Sequence, residues 1–140
     1  YRVIERYLDQ RAEMIAQCPP EGGLDTVSAL LEMMRLEAVE LMPGRGCLVV
    51  NVTTELGLRE EQAQRIADRY RSMLRGAVEP ALRHAADRGE IDGALVDVYA
   101  DSVVGLAVSF SVAARSGASA DELNRIADSI QTLIASWRTS

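Results

Sequence analysis

The stretch from residue 60 to about residue 88 constrains the fold more than any other part of this chain. Ala63, Ile66, Ala67, Tyr70, Met73, Leu74, Ala77, Val78, Ala81, Leu82 and Ala85 recur at intervals of three and four, which puts them on one face of a long helix. The first turn is acidic, with Glu60 and Glu61, as the positive end of a helix dipole favours. Pro80 falls inside the segment. It removes one backbone hydrogen bond and its ring crowds the carbonyl of Gly76, so a kink is expected near residues 76–80. Gly89 is placed to end the helix in a left-handed conformation.

The rest of the chain carries the same periodicity. Val3, Ile4, Tyr7, Leu8, Met14 and Ile15 predict a first helix to about residue 16, and the chain is expected to begin inside it, as a fragment would. Cys18-Pro19-Pro20-Glu21-Gly22-Gly23 breaks the pattern. A second helix is predicted over residues 25–41, with Val27, Leu30, Leu31, Met34, Ala38 and Leu41 on one face, and a third, apolar on most sides, over 47–56. The helix predicted over 94–115 is the most apolar. It has a bulky stripe of Tyr99, Val103, Leu106 and Phe110 and a second of Asp101, Gly105, Ser109 and Ala113, small after the first. Ser119 and Glu122 form a capping box for the last helix, which carries Leu123, Ile126, Ala127, Ile130, Leu133, Ile134 and Trp137. No segment alternates as a strand would. The expectation is one all-α domain over residues 1–140.

Aromatic residues are only 4% of the chain, so the core must rest on Leu, Ile, Val, Met and Ala, a palette suited to close helix packing. A net charge of −6 argues against this segment gripping a phosphate backbone. All 15 basic residues are Arg, which removes lysine nucleophiles and Schiff bases. Cys18 and Cys47 fit no metal-ligand spacing and His84 is the single histidine, so neither metal nor cofactor is expected. No apolar run is read as reaching the ~20 residues that cross a bilayer. No signal peptide opens the chain, and a cytoplasmic setting without membrane contact is expected. No catalytic signature is visible, so an enzyme is not expected.

The run Gly46-Cys47-Leu48-Val49-Val50-Asn51 opens the short third helix, and the long Arg- and Glu-studded helix follows it. A glycine-acid-x-Asp break at Gly89-Glu90-Ile91-Asp92 then leads to two apolar helices. This order resembles the C-terminal domain of TetR/AcrR-family transcriptional regulators across essentially the whole chain. The resemblance implies six helices, the last two pairing with those of a twin subunit in a four-helix bundle. It also implies an effector pocket among the others and a preceding helix-turn-helix domain, absent here, through which alone operator DNA would be bound.

Pocket candidates are Asn51 and Thr54, a polar pair on an otherwise apolar helix, with Met33, Met34, Tyr70, Met73, Tyr99 and Phe110 as adaptable apolar walls. Each has a plainer reading: Asn51 caps or ties a neighbouring loop, Thr54 bonds back to its own helix, and the others are core. Glu37 either faces a cationic ligand or is a solvated charge beside Arg35. Cys47 is either a sensing thiol or a buried small hydrophobe. Asp97 and Asp101, one turn apart, are read as surface or salt-bridge residues rather than a metal pair.

The expected dimer face is Gly105, Val108, Ser109, Val112 and Ala113 with Ile126, Ile130, Leu133 and Trp137, because these two helices offer more apolar surface than one domain of this size needs. The leading functional expectation is the effector-sensing and dimerisation part of a TetR-type repressor, its effector a small apolar or amphipathic molecule. The alternative is a stand-alone helical protein–protein interaction module.

Overall fold

An apolar stripe on a helix of 27 residues has to be covered along its whole length, and in this protein two separate clusters do so. The computed structural model describes residues 2–41 and 61–139. Its α-helices are α1 (Arg2–Ala16), α2 (Leu24–Leu36), α3 (Glu61–Asp87), α4 (Val96–Arg115) and α5 (Ala120–Ala135). Short 3₁₀ turns occupy Pro20–Gly22 and Gly93–Leu95, and a π-helical turn, Glu37–Leu41, prolongs α2. There is no strand among the described residues. The protein is all-α. The helix expected over 47–56 lies outside the described residues.

The C-terminal half of α3 supplies Val78, Ala81, Leu82 and Ala85 to the main core. Leu24, Val27 and Leu31 of α2 join them there, with Ala100, Val103, Ala107 and Phe110 of α4 and Leu123, Ile130 and Ile134 of α5. Ala81, Ala85 and Ala100 are completely buried, and side chains this small let helices approach closely. The N-terminal half of α3 belongs to a smaller cluster, where Ile66 and Tyr70 meet Ile4 and Leu8 of α1. Leu74 packs against both. The helix runs uninterrupted through Pro80, which is exposed, so the expected distortion does not break it.

Gly93–Arg115 is long and apolar enough, by length and composition, to cross a membrane, which corrects the reading that no such run exists. α4 buries seven of its 20 residues, from Val96 to Ala114, and packs against both α3 and α5, so burial within the chain accounts for part of its apolar character, while Val98 and Val112 stay exposed.

The corner between α3 and α4 shows why the glycine-acid-x-Asp sequence is written as it is. Gly89 adopts φ 76°, letting its N–H donate to the Ala86 carbonyl at 3.0 Å and the Glu90 N–H to Ala85 at 2.8 Å. These two bonds form a Schellman cap on α3. Ile91 is buried in the main core, and the Asp92 carboxylate accepts from the Ala94 N–H at 2.9 Å, starting the turn into α4. Glu90 ties the corner to the rest: it pairs with Arg88 at 2.6 Å and Arg138 at 3.4 Å, and its backbone carbonyl accepts from the Thr139 N–H at 2.8 Å. Arg138 also reaches Asp25 in the first turn of α2 at 2.9 Å. Burial pushes the Glu90 carboxyl up, but the Arg88 hydrogen bond, the Leu24 N–H and the charges of Arg88 and Arg138 outweigh it and hold the group below its usual 4.5.

The Ser119 cap forms as expected, its hydroxyl accepting from the Glu122 N–H at 3.1 Å. Gly23, ahead of α2, has φ 62°, and a Cβ there would strike the Arg88 guanidinium and the Glu90 carboxylate. A Cβ at Gly89 would meet nothing. Gly89→Ala is therefore expected to cost only the left-handed backbone penalty, about 1–2 kcal/mol, and Gly23→Ala more, as compared by urea unfolding. Because the Glu90 carboxyl is depressed in the folded state, its contribution is present above the unfolded value and is lost as pH falls through the folded one. Glu90→Gln should flatten the decline of the urea midpoint below pH ~4.5.

Candidate functional site

Where the two clusters meet they leave a hollow. Arg11, Met14 and Ile15 of α1, Leu30, Met33 and Met34 of α2, and Glu37 and Ala38 of the π turn line one side. Tyr70, Met73 and Leu74 of α3 and Phe110, Ser111 and Ala114 of α4 line the other. The cavity measures about 70 Å³. Helical spacing puts these side chains together: Leu30, Met34 and Ala38 follow one another at four-residue steps, as do Met33 and Glu37, Tyr70 and Leu74, and Phe110 and Ala114. Four of the chain's five methionines line the cavity, so its walls are unbranched and can repack around an occupant.

Phe110 also borders a second void of about 10 Å³, shared with Leu31, Met34, Ala127, Ile130 and Gln131. Phe110 and Met34 thus border both the main cavity and this smaller gap. The described charged groups that line the cavity are matched. Arg11 pairs with Glu37 across the gap between α1 and the π turn, both side chains being less than one-fifth exposed. The Arg11 guanidinium also lies over the Tyr7 ring, 5.0 Å from its centre. The expectation that Glu37 is a solvated charge beside Arg35 is corrected. Arg35 instead pairs with Glu32 at 2.6 Å and donates to Asn124 of α5 at 3.0 Å. Glu37 and Arg11 are 26 residues apart, and no local spacing in the sequence announces that pairing.

Of the sequence-predicted pocket residues, Met33, Met34, Tyr70, Met73 and Phe110 converge on this cavity. Asn51 and Thr54, like Cys47, lie outside the described residues. Tyr99 does not line the cavity: it stacks on Trp137 with ring centres 4.2 Å apart and planes 12° from parallel. The register explains this, since residue 99 is eleven positions, about three turns, before Phe110 along α4. Sequence reasoning passed over Arg11 and Ser111. Ser111 did carry a signal, as the polar residue beside Phe110 on the core-facing side of the most apolar helix.

The predicted dimer residues fall into groups. Ser109, Ile126, Ile130 and Leu133 line a shallow groove between α4 and α5, with Leu106, Arg125 and Ser129. Leu133 is 45% exposed and Val112 40% exposed, and Gly105 is also on the surface. Ala113 and Ile126 are half-buried against the main core. Val108 turns the other way, against the α1–α3 cluster. Ile130 is buried in the core where it borders the groove, and Trp137 stacks on Tyr99.

Asp97 and Asp101 both pair with Arg75 of α3, which also reaches Glu79 at 3.3 Å. Among the described residues, no group of three His, Cys, Asp or Glu side chains comes together as metal ligands. Cys18 is half-buried, its sulfur 3.9 Å from that of Met33.

Comparison with protein-family models, with curated proteins and with solved structures returns no match. Truncating this buried ring, 4% exposed, should be costly: Phe110→Ala is expected to lose about 3–5 kcal/mol in urea unfolding.

Proposed function

We propose that this chain is the effector-sensing and dimerisation part of a TetR-type transcriptional repressor. The observation that carries the reading is the apolar, methionine-walled cavity enclosed by α1, α2, α3 and α4, on which five residues singled out from the sequence converge. The order of the helices supports it as well. Five α-helices are described, and the sequence expectation of a sixth over 47–56 would bring the number to the six that the resemblance implies.

In this reading a small apolar or amphipathic effector enters between the helices. It favours one arrangement of α1, the helix nearest the DNA reader, over another. The effector shifts that balance only by as much as it prefers one arrangement. Operator DNA is held by a helix-turn-helix domain that is not among these 140 residues, and the protein works in the cytoplasm without enzymatic activity. The α4–α5 groove, with Ser109, Ile126 and Leu133, is the surface offered to a second copy.

The same groove favours a second reading, a stand-alone interaction module whose cavity is a packing defect. A thermal-shift series with small apolar compounds separates the two. The sensor reading expects stabilisation that Met73→Gln abolishes, because a polar amide then lines the wall; no stabilisation by any compound favours the module. Sedimentation tests the dimer: Leu133→Glu places a charge in the groove and is expected to convert a dimer to monomer, while a chain already monomeric before substitution counts against the pairing.

A further inference from the structure

Two polar residues are buried among the described ones, Thr26 and Ser111. The Thr26 hydroxyl is satisfied, donating to the Pro19 carbonyl. On the helices, the hydroxyls of Ser102, Ser116, Ser129 and Thr132 each donate to the carbonyl four residues back, at 2.7–2.9 Å. Ser111 has Ala107 at the same spacing, yet it makes neither that bond nor any other among the described residues. It is 4% exposed and lines the cavity. A buried hydroxyl left without a partner is unfavourable, and the imbalance is removed when a partner arrives.

We propose that the cavity takes a small uncharged molecule bearing a single hydroxyl or carbonyl, and that the Ser111 hydroxyl is the group that orients it. The proposal rests on reading this cavity as a ligand site and names the class of ligand. Charge is disfavoured because Arg11 and Glu37 already neutralise each other, and a charged ligand has to break that pair. Size is bounded as well. The cavity of about 70 Å³ is smaller than the ~150 Å³ hollow that holds benzene. One ring is therefore the limit, reached only when the methionine walls repack.

The test uses phenol, toluene and benzoate, of similar shape, titrated calorimetrically into the full chain and its Ser111→Ala variant. Phenol should bind the unsubstituted chain roughly three- to tenfold tighter than toluene, the range that one neutral hydrogen bond contributes. That preference should vanish in Ser111→Ala, and benzoate should bind weakest. The variant should melt at the same temperature as its parent or higher, since it loses only an unpaired group. Equal binding of phenol and toluene, or a preference that survives the substitution, overturns the role of Ser111 while leaving an apolar site standing. Tighter binding of benzoate overturns the uncharged class. A lower melting temperature for Ser111→Ala means the hydroxyl is already engaged and overturns the proposal too. If none of the three probes binds either protein, the proposal falls together with the reading of the cavity as a ligand site.

Discussion

The structure depends on how the apolar stripe of α3 is covered. One helix cannot cover 27 residues of another at every level, so the work is divided: α1 takes the first half, and α2 and α4, themselves backed by α5, the second. Each cluster can be well packed by itself, because its members are set by local helical spacing. The junction is another matter. At Leu74 two packing arrangements with different partners must meet, and side chains fixed by one are not free to fill space for the other. A hollow at that level follows from the division, and flexible methionines line it where branched residues would demand one fixed fit.

The polar surface follows from a second constraint, the complete absence of lysine. A guanidinium presents several donors in a fixed plane, so one arginine can serve more than one carboxylate. Arg75 does so for Glu79, Asp97 and Asp101, joining α3 to α4, and Arg138 does so for Asp25 and Glu90, joining the end of the chain to α2 and the α3–α4 corner. Exposed pairs of this kind contribute little stability, typically about 0–1 kcal/mol each.

Much of the fold could be read from spacing. The long helix, its glycine stop, the serine cap and the apolar faces of α2 and α5 are local patterns, and local geometry realises them. The five cavity residues Met33, Met34, Tyr70, Met73 and Phe110 were legible for the same reason, as large apolar groups on inward faces. What spacing could not supply was pairing across the sequence. Arg11 and Glu37 meet only because α1 and the π turn face each other, and the turn itself has no sequence signature. Tyr99 and Trp137, read from residue type as pocket wall and interface, stack on one another, because flat rings at the ends of two adjacent helices cover one another at little entropic cost.

That ring pair gives the molecule a built-in optical reporter. Trp137 is the chain's single indole, and it lies face to face with a phenol ring on the neighbouring helix. The protein's tryptophan emission therefore originates at one place, the seam between the start of α4 and the end of α5. Sliding or splaying of these helices by a few ångströms unstacks the rings and changes the colour and yield of that light, without any label being attached.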